Sequence, residues 1–89
     1  MTTIPEFEWA VLLEELLNGG FEHMPFKAGD IGTVVEILGG GQAYMLEMMT
    51  ADGHTLDVIT VHAHQVRAVN RRDMLHVRVV KSDVAKMSA

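Results

Sequence analysis

The stretch GDIGTVVEILGGGQAYMLEMMTADGHTLDVITV, residues 29–61, decides the fold. Ile31 to Leu38 is rich in β-branched residues and is opened by Gly29-Asp30, which does not readily continue a helix, so it reads as a strand. Gly39-Gly40-Gly41 gives the chain positive-φ freedom for a reversal. Ala43 to Thr50 follows as a second strand, with Tyr44, Leu46 and Met48 on one face and Met45, Glu47 and Met49 on the other. The first set is the expected core face, and Met45 and Met49 are expected to stay partly exposed. Asp52-Gly53 is a hairpin signal of the primed-turn type and leads into Thr55 to Val61, where strict alternation sets Leu56 and Val58 opposite Asp57 and Ile59. Three antiparallel strands joined by tight turns result.

Outward from this meander, His62 to Gln65 reads as a short turn and Val66 to Val69 as a short closing strand. Met74 to Val80 alternates Leu75, Val77 and Val79 against His76, Arg78 and Val80, which predicts an extra C-terminal strand at an edge or a dimer contact. From Ser82 the sequence reads as a loose tail, residues 82–89, after a single domain over 1–81. The N-terminal side reads two ways. Trp9, Leu12, Leu13, Leu16 and Leu17 recur at helical spacing before Gly19-Gly20, which predicts an amphipathic helix. A closed sheet would instead take Trp9 to Leu13 as its first strand. A sheet this small leaves its edges open unless it curls, so the expected fold is mainly β, a small antiparallel barrel of about five strands.

Composition narrows the function. A chain of 89 residues makes one domain with little room for a deep cavity. It has no cysteine, which excludes a disulfide framework and a thiolate zinc site and suits a reducing cytoplasm. WAVLLEELL is broken by Glu14 and Glu15 and does not read as a signal peptide, and no run nears the roughly 20 apolar residues that span a bilayer. Residues 1–60 hold ten Asp or Glu against Lys27 alone, a charge of −9, and residues 61–89 hold six Lys or Arg against Asp73 and Asp83, a charge of +4, together the chain's −5. Such an asymmetry reads either as offsetting patches of one surface or as a basic segment for an acidic partner. Nucleic acid is a poor partner for so acidic a chain.

KAGDIGTVVEI, a glycine-rich turn, AYMLEMMTADGHTLDVITV and QVRAV together resemble a family of small bacterial domains of unknown function, over about residues 8 to 69. Its pattern is a GD-(I/V)-GTVVE opening, a Y-x-(V/L)-E-(F/M) strand, a DG hairpin, a T-x-x-x-(V/I)-(L/V)-T-(L/V) strand and a closing Q/D-V-R strand. The resemblance implies an SH3-like barrel of five strands and no established activity. The GDIG opening is also similar, more loosely, to the KOW elements of ribosomal and transcription-factor proteins. The chain departs from the pattern in a longer EELLNGGFEHMPFKA segment and in the addition of residues 70–89.

Candidate sites are few. Gly29 and Gly32 relieve crowding where the chain bends and Asp30 accepts hydrogen bonds from turn amides, whereas a phosphate loop would need a helix where a strand follows. His62 and His64, two apart, are the weak metal candidates with Asp57 as a third donor, set against plain turn histidines. His54 reads as a turn-tip residue, and His23 and His76 have no evident partner. Glu14 and Glu15 diverge on either a helix or a strand, and no nucleophile motif is present, so an enzyme is the class least supported and no cofactor is implied. What remains is recognition of another protein, such as one encoded nearby, or of a second copy. Its candidate contacts are Trp9, Phe21, Phe26 and Tyr44, each also a candidate for the core, with Met24, Met45 and Met49 as adaptable surface and Arg71, Arg72 and Arg78 as clamps for an acidic partner. The alternative is a KOW-like nucleic-acid binder using Arg67, Arg71, Arg72, Arg78 and Lys81.

Overall fold

The computed structural model describes residues 3–21 and 24–79, and the side chains of all of these except 17–21 and 24. Seven strands follow in order: β1 (Trp9–Leu12), β2 (Leu16–Phe21), β3 (Met24–Phe26), β4 (Ile31–Leu38), β5 (Ala43–Met49), β6 (Thr55–His62) and β7 (Val66–Ala68), with a single 3-10 turn at Ala63–Gln65. Five of them form an antiparallel sheet in the order β6-β5-β4-β1-β7, and β2 and β3 pair as a separate hairpin. That hairpin contacts β6.

The helical reading of the N-terminal segment is overturned. Ala10 and Leu12 are buried while Trp9 is exposed, the period of a strand, and β1 is hydrogen-bonded on both sides, to β4 and to β7. The leucine doublets that mimicked a helical stripe are shared among β1, the bend at residues 13–14 and the start of β2. Pairing with two strands outweighs a local preference of a few tenths of a kcal/mol per residue. The expected C-terminal strand is absent as well. Residues 74–79 carry no strand hydrogen bonds among the described residues, and side chains hold them instead. Residues 80–89, including the predicted tail, lie outside the described residues.

The core is drawn from the faces of β1, β4, β5, β6 and β7 that carry Leu12, Val34, Leu46, Val61 and Val66, and no charged side chain is buried among the described residues. Tyr44, Leu46 and Met48 make up the inner face of β5, while Met45 is half-buried and Met49 exposed. Two bulges reset the alternation. Val35 is the extra residue between the pairs Val34↔Leu46 and Glu36↔Met45, so Glu36 turns to solvent and Ile37 packs against the core. Leu56 is skipped between Met48↔Asp57 and Met49↔Thr55, so Leu56 and Ile59 both reach the core although they are three residues apart, and Val58 faces out.

The reversal at Gly39-Gly40-Gly41 holds all three residues at positive φ, which side-chain-bearing residues would resist. The other hairpin is a longer turn than the two-residue primed type. Gly53 N–H donates to Thr50 O at 3.0 Å and Thr50 N–H to His54 O at 2.9 Å, and only Gly53 in the loop has positive φ. This is a three-residue loop with glycine in the left-handed position.

Candidate functional site

The GDIG opening builds a hub at Asp30. The turn before it closes through Asp30 N–H to Lys27 O at 3.0 Å, and Lys27 N–H returns to Asp30 Oδ2 at 2.8 Å. Gly29, at φ 95°, sends its N–H to Leu12 O at 2.8 Å and ties the turn to β1. Gly32 has ordinary strand geometry. It is glycine because of space, since a Cβ there would come within 2.5 Å of Met48 Sδ and 3.2 Å of Glu47 O. The same Asp30 carboxylate receives both Nε of Arg78 at 2.8 Å and its terminal nitrogen at 2.6 Å, a fork-to-fork pair that brings the C-terminal arm across the sheet end. The pair raises the Arg78 pKa.

A second clasp stands at the start of the arm. Arg67 on β7 holds Asp73 through two hydrogen bonds of 2.9 Å, and Asp73 also accepts Asn70 N–H at 2.8 Å. Arg72 N–H donates to Asn70 Oδ1 and Asp73 N–H to Asn70 O, so residues 70–73 form a tight turn. The Arg67 hydrogen bonds, then the Asn70 amide, hold the Asp73 carboxyl down to about 2, well below its ordinary 3.8. Arg67 is raised in return. Arg71 and Arg72 project from this turn, exposed and without an acidic partner among the described residues.

Between the clasps the arm has an inverted polarity. Arg78 faces the body while Val77 is 95% exposed and Met74 85% exposed. Arm residues 76–79 wall a cleft of about 450 Å³ whose other lining includes Phe26, Ile31, Met48, Met49 and Leu56.

A further feature, one the sequence patterns do not announce, lies where the chain enters β1. Phe7 has φ 68°, the one described non-glycine residue at positive φ, and its ring is 73% exposed. Its N–H donates to Val34 O at 2.6 Å, and Val34 N–H donates to Glu8 O at 2.9 Å, which fixes the segment against β4. Bulky residues at such φ cost of order 1–3 kcal/mol and concentrate at functional positions. Trp9, two residues on, is 51% exposed. Glu6, Glu8 and Glu36 are exposed around them. The repeat of acid and aromatic in Glu6-Phe7-Glu8-Trp9 is the available sequence signal for an exposed segment here.

The remaining candidates are placed as follows. Phe26 and Tyr44 are core residues, and the Tyr44 hydroxyl accepts Ile4 N–H at 3.1 Å, so neither offers a contact surface. Phe21 sits in β2 and its side chain is outside those described, as are His23 and Lys81. Asp52, held by the Thr50 hydroxyl and with a lowered pKa from that bond, stabilises its turn beside Gly53. The rings of His62 and His64 stack with centroids 5.6 Å apart, yet no three potential metal ligands converge among the described residues. Asp57 therefore does not join them as a third donor. Thus the structure gathers Trp9, Arg71 and Arg72 near one sheet end and Asp30 with Arg78 at the arm, and separates both from the aromatics of the core.

Residues 6–68 match the family model described as a domain of unknown function, DUF4926. The chain belongs to that family. No curated protein and no solved structure matches it. The DUF4926 match takes in the Glu6–Trp9 segment and all seven strands, and it stops before the arginine turn and the arm. Among the described residues of this DUF4926 member, no helix is long and apolar enough to cross a membrane.

Proposed function

We propose that the chain is a non-enzymatic protein-interaction module on an SH3-like barrel, an accessory subunit or a small neutralising partner of the antitoxin or immunity kind, working in the cytoplasm. The strand order β6-β5-β4-β1-β7, with a hairpin inserted after the first strand and a 3-10 turn before the last, supports the barrel reading. The single observation that carries the functional reading is the arginine turn. Arg71 and Arg72 have no acidic partner among the described residues, on a turn closed by Asn70 and Asp73 and clasped to β7 by Arg67, next to the exposed Met74. A preorganised charged and apolar surface of this kind gains affinity because little ordering remains to be done on binding.

The nucleic-acid alternative is weakened by the two clasps. Arg67 and Arg78, two of its five cations, are neutralised by Asp73 and Asp30. The test is an affinity capture from host lysate at low and moderate salt, with the Arg71→Glu/Arg72→Glu variant beside the wild type. A protein retained by the wild type and lost by the variant is the expected result. Retention of nothing, or of nucleic acid alone, would sink the reading.

A further inference from the structure

Two exposed surfaces of opposite character lie side by side on this chain. One is the ridge Glu6–Trp9, where two aromatic rings alternate with two acids. The other is the arginine turn with Met74 just after it. They are neighbours because β1 and β7 are antiparallel, with Val69 N–H donating to Trp9 O at 3.2 Å, so the turn leaves β7 at the end where the ridge enters β1. Neither surface is neutralised by the other: no ion pair joins Glu6 or Glu8 to Arg71 or Arg72 among the described residues.

Adjacent patches that are complementary but unpaired within one molecule suit a two-fold axis. In an isologous contact, patch one of the first copy meets patch two of the second and the reverse contact follows by symmetry. We propose that a second copy of this chain is the occupant: its arginine turn and Met74 seat on the Glu6–Trp9 ridge, reciprocally. The inference rests on the interaction-module reading and names its partner.

Three observations converge on this arrangement. Charge is complementary at both contacts, with two acids on the ridge facing two arginines on the turn. Apolar surface is complementary as well, since Phe7 and Trp9 are exposed on one patch and Met74 on the other, and a flexible thioether against aromatic rings is a favourable contact. Finally, the left-handed conformation at Phe7, held by the hydrogen bonds to Val34, leaves a large apolar ring out in water where a free monomer buries little of it. The two-fold axis doubles the contact, and a specific interface buries roughly 1,200–2,000 Å² in total.

The experiment measures molar mass of the full chain by sedimentation equilibrium, from nanomolar to high-micromolar concentration, at low and high salt. The wild type is expected to dimerise and to weaken as salt rises. Arg71→Glu/Arg72→Glu and Glu6→Arg/Glu8→Arg are each expected to weaken the dimer by at least about tenfold, in keeping with measured couplings of close interfacial charge pairs. Mixing these two variants is the decisive arm. The first then carries acids on both patches and the second bases on both, so the mixture regains both attractive contacts and forms a heterodimer, which also shows that each variant is folded. Phe7→Asn, in which asparagine tolerates the left-handed conformation, is expected to lose the dimer with its circular dichroism unchanged.

A wild type that is monomeric throughout overturns the inference, as does a dimer indifferent to the charge reversals or a mixture that does not associate. A monomer that still captures a host protein through Arg71 and Arg72 leaves the interaction module standing with another occupant. A monomer that captures nothing removes both.

Discussion

At Gly32 the inner face of β4 approaches that of β5 closely. A Cβ there would stand 2.5 Å from the sulfur of buried Met48 and 3.2 Å from a backbone oxygen, so Gly32→Ala forces either a new methionine rotamer or a widened strand pair. Overpacking of this kind costs about 1–3 kcal/mol, and urea unfolding should show a midpoint lowered accordingly with an unchanged slope. An alanine variant as stable as the wild type would show that Met48 yields freely. Relief of crowding is the sequence expectation for Gly29 and Gly32 alike, yet only Gly32 is short of space, whereas Gly29 answers a demand for positive φ with nothing within 4 Å of a Cβ placed there. Both demands leave a glycine in the chain, and only the approach of β5 separates them. Phe7 was illegible for the converse reason, because nothing in a phenylalanine announces a left-handed backbone that is imposed by hydrogen bonds to Val34.

At the scale of elements, turn chemistry located β4, β5, β6 and β7 well and their faces only in part, and it gave no sign of the β2–β3 hairpin. Tyr44, Leu46 and Met48 obey simple alternation because β5 itself carries no extra residue; the bulges lie in its partners. Alternation carried on from Val34 would place Glu36 in the core, and the bulge at Val35 is what averts this. In β6 the skipped Leu56 makes Ile59 an inward residue, 7% exposed, and Val58 an outward one, 45% exposed. Ile59→Ala should therefore destabilise by about 2–5 kcal/mol and Val58→Thr by no more than about 0.5 kcal/mol, as read from urea denaturation. The reverse order would mean that the alternation runs unbroken from Leu56. Bulges escape sequence reading because they answer to the twist of the whole sheet rather than to local preference.

For the whole molecule, the arm is an addition clasped onto a sheet that is already complete without it. The DUF4926 match ends at Ala68, and the arm contributes no backbone pairing among the described residues. A chain ending after Asn70 should keep the β-sheet circular dichroism of the full protein and lose about 1–2 kcal/mol. The loss stays small because the cut removes two clasps at the protein surface, Asp73 with Arg67 and Arg78 with Asp30, and no backbone pairing. Collapse of the fold on truncation would refute this division. The sequence separated body from arm through the family pattern and the charge reversal, but alternation in MLHVRVV predicted a strand where only side-chain clasps exist. A strand requires a partner, and the free edge that could have supplied one is not visible in any local pattern.

The position of β1 between β4 and β7 sets an order of events for folding. β4, β5 and β6 are joined by short turns and can zip together from neighbours in sequence, whereas Ala10 meets Ala68 only across most of the chain. Closing so long a loop carries a larger entropic cost, and contacts of this separation slow folding. The meander can therefore form first, leaving one flank of β1 bare until β7 docks. β7, the last of the described strands, completes the sheet, and the ridge and the arginine turn become neighbours only at that step.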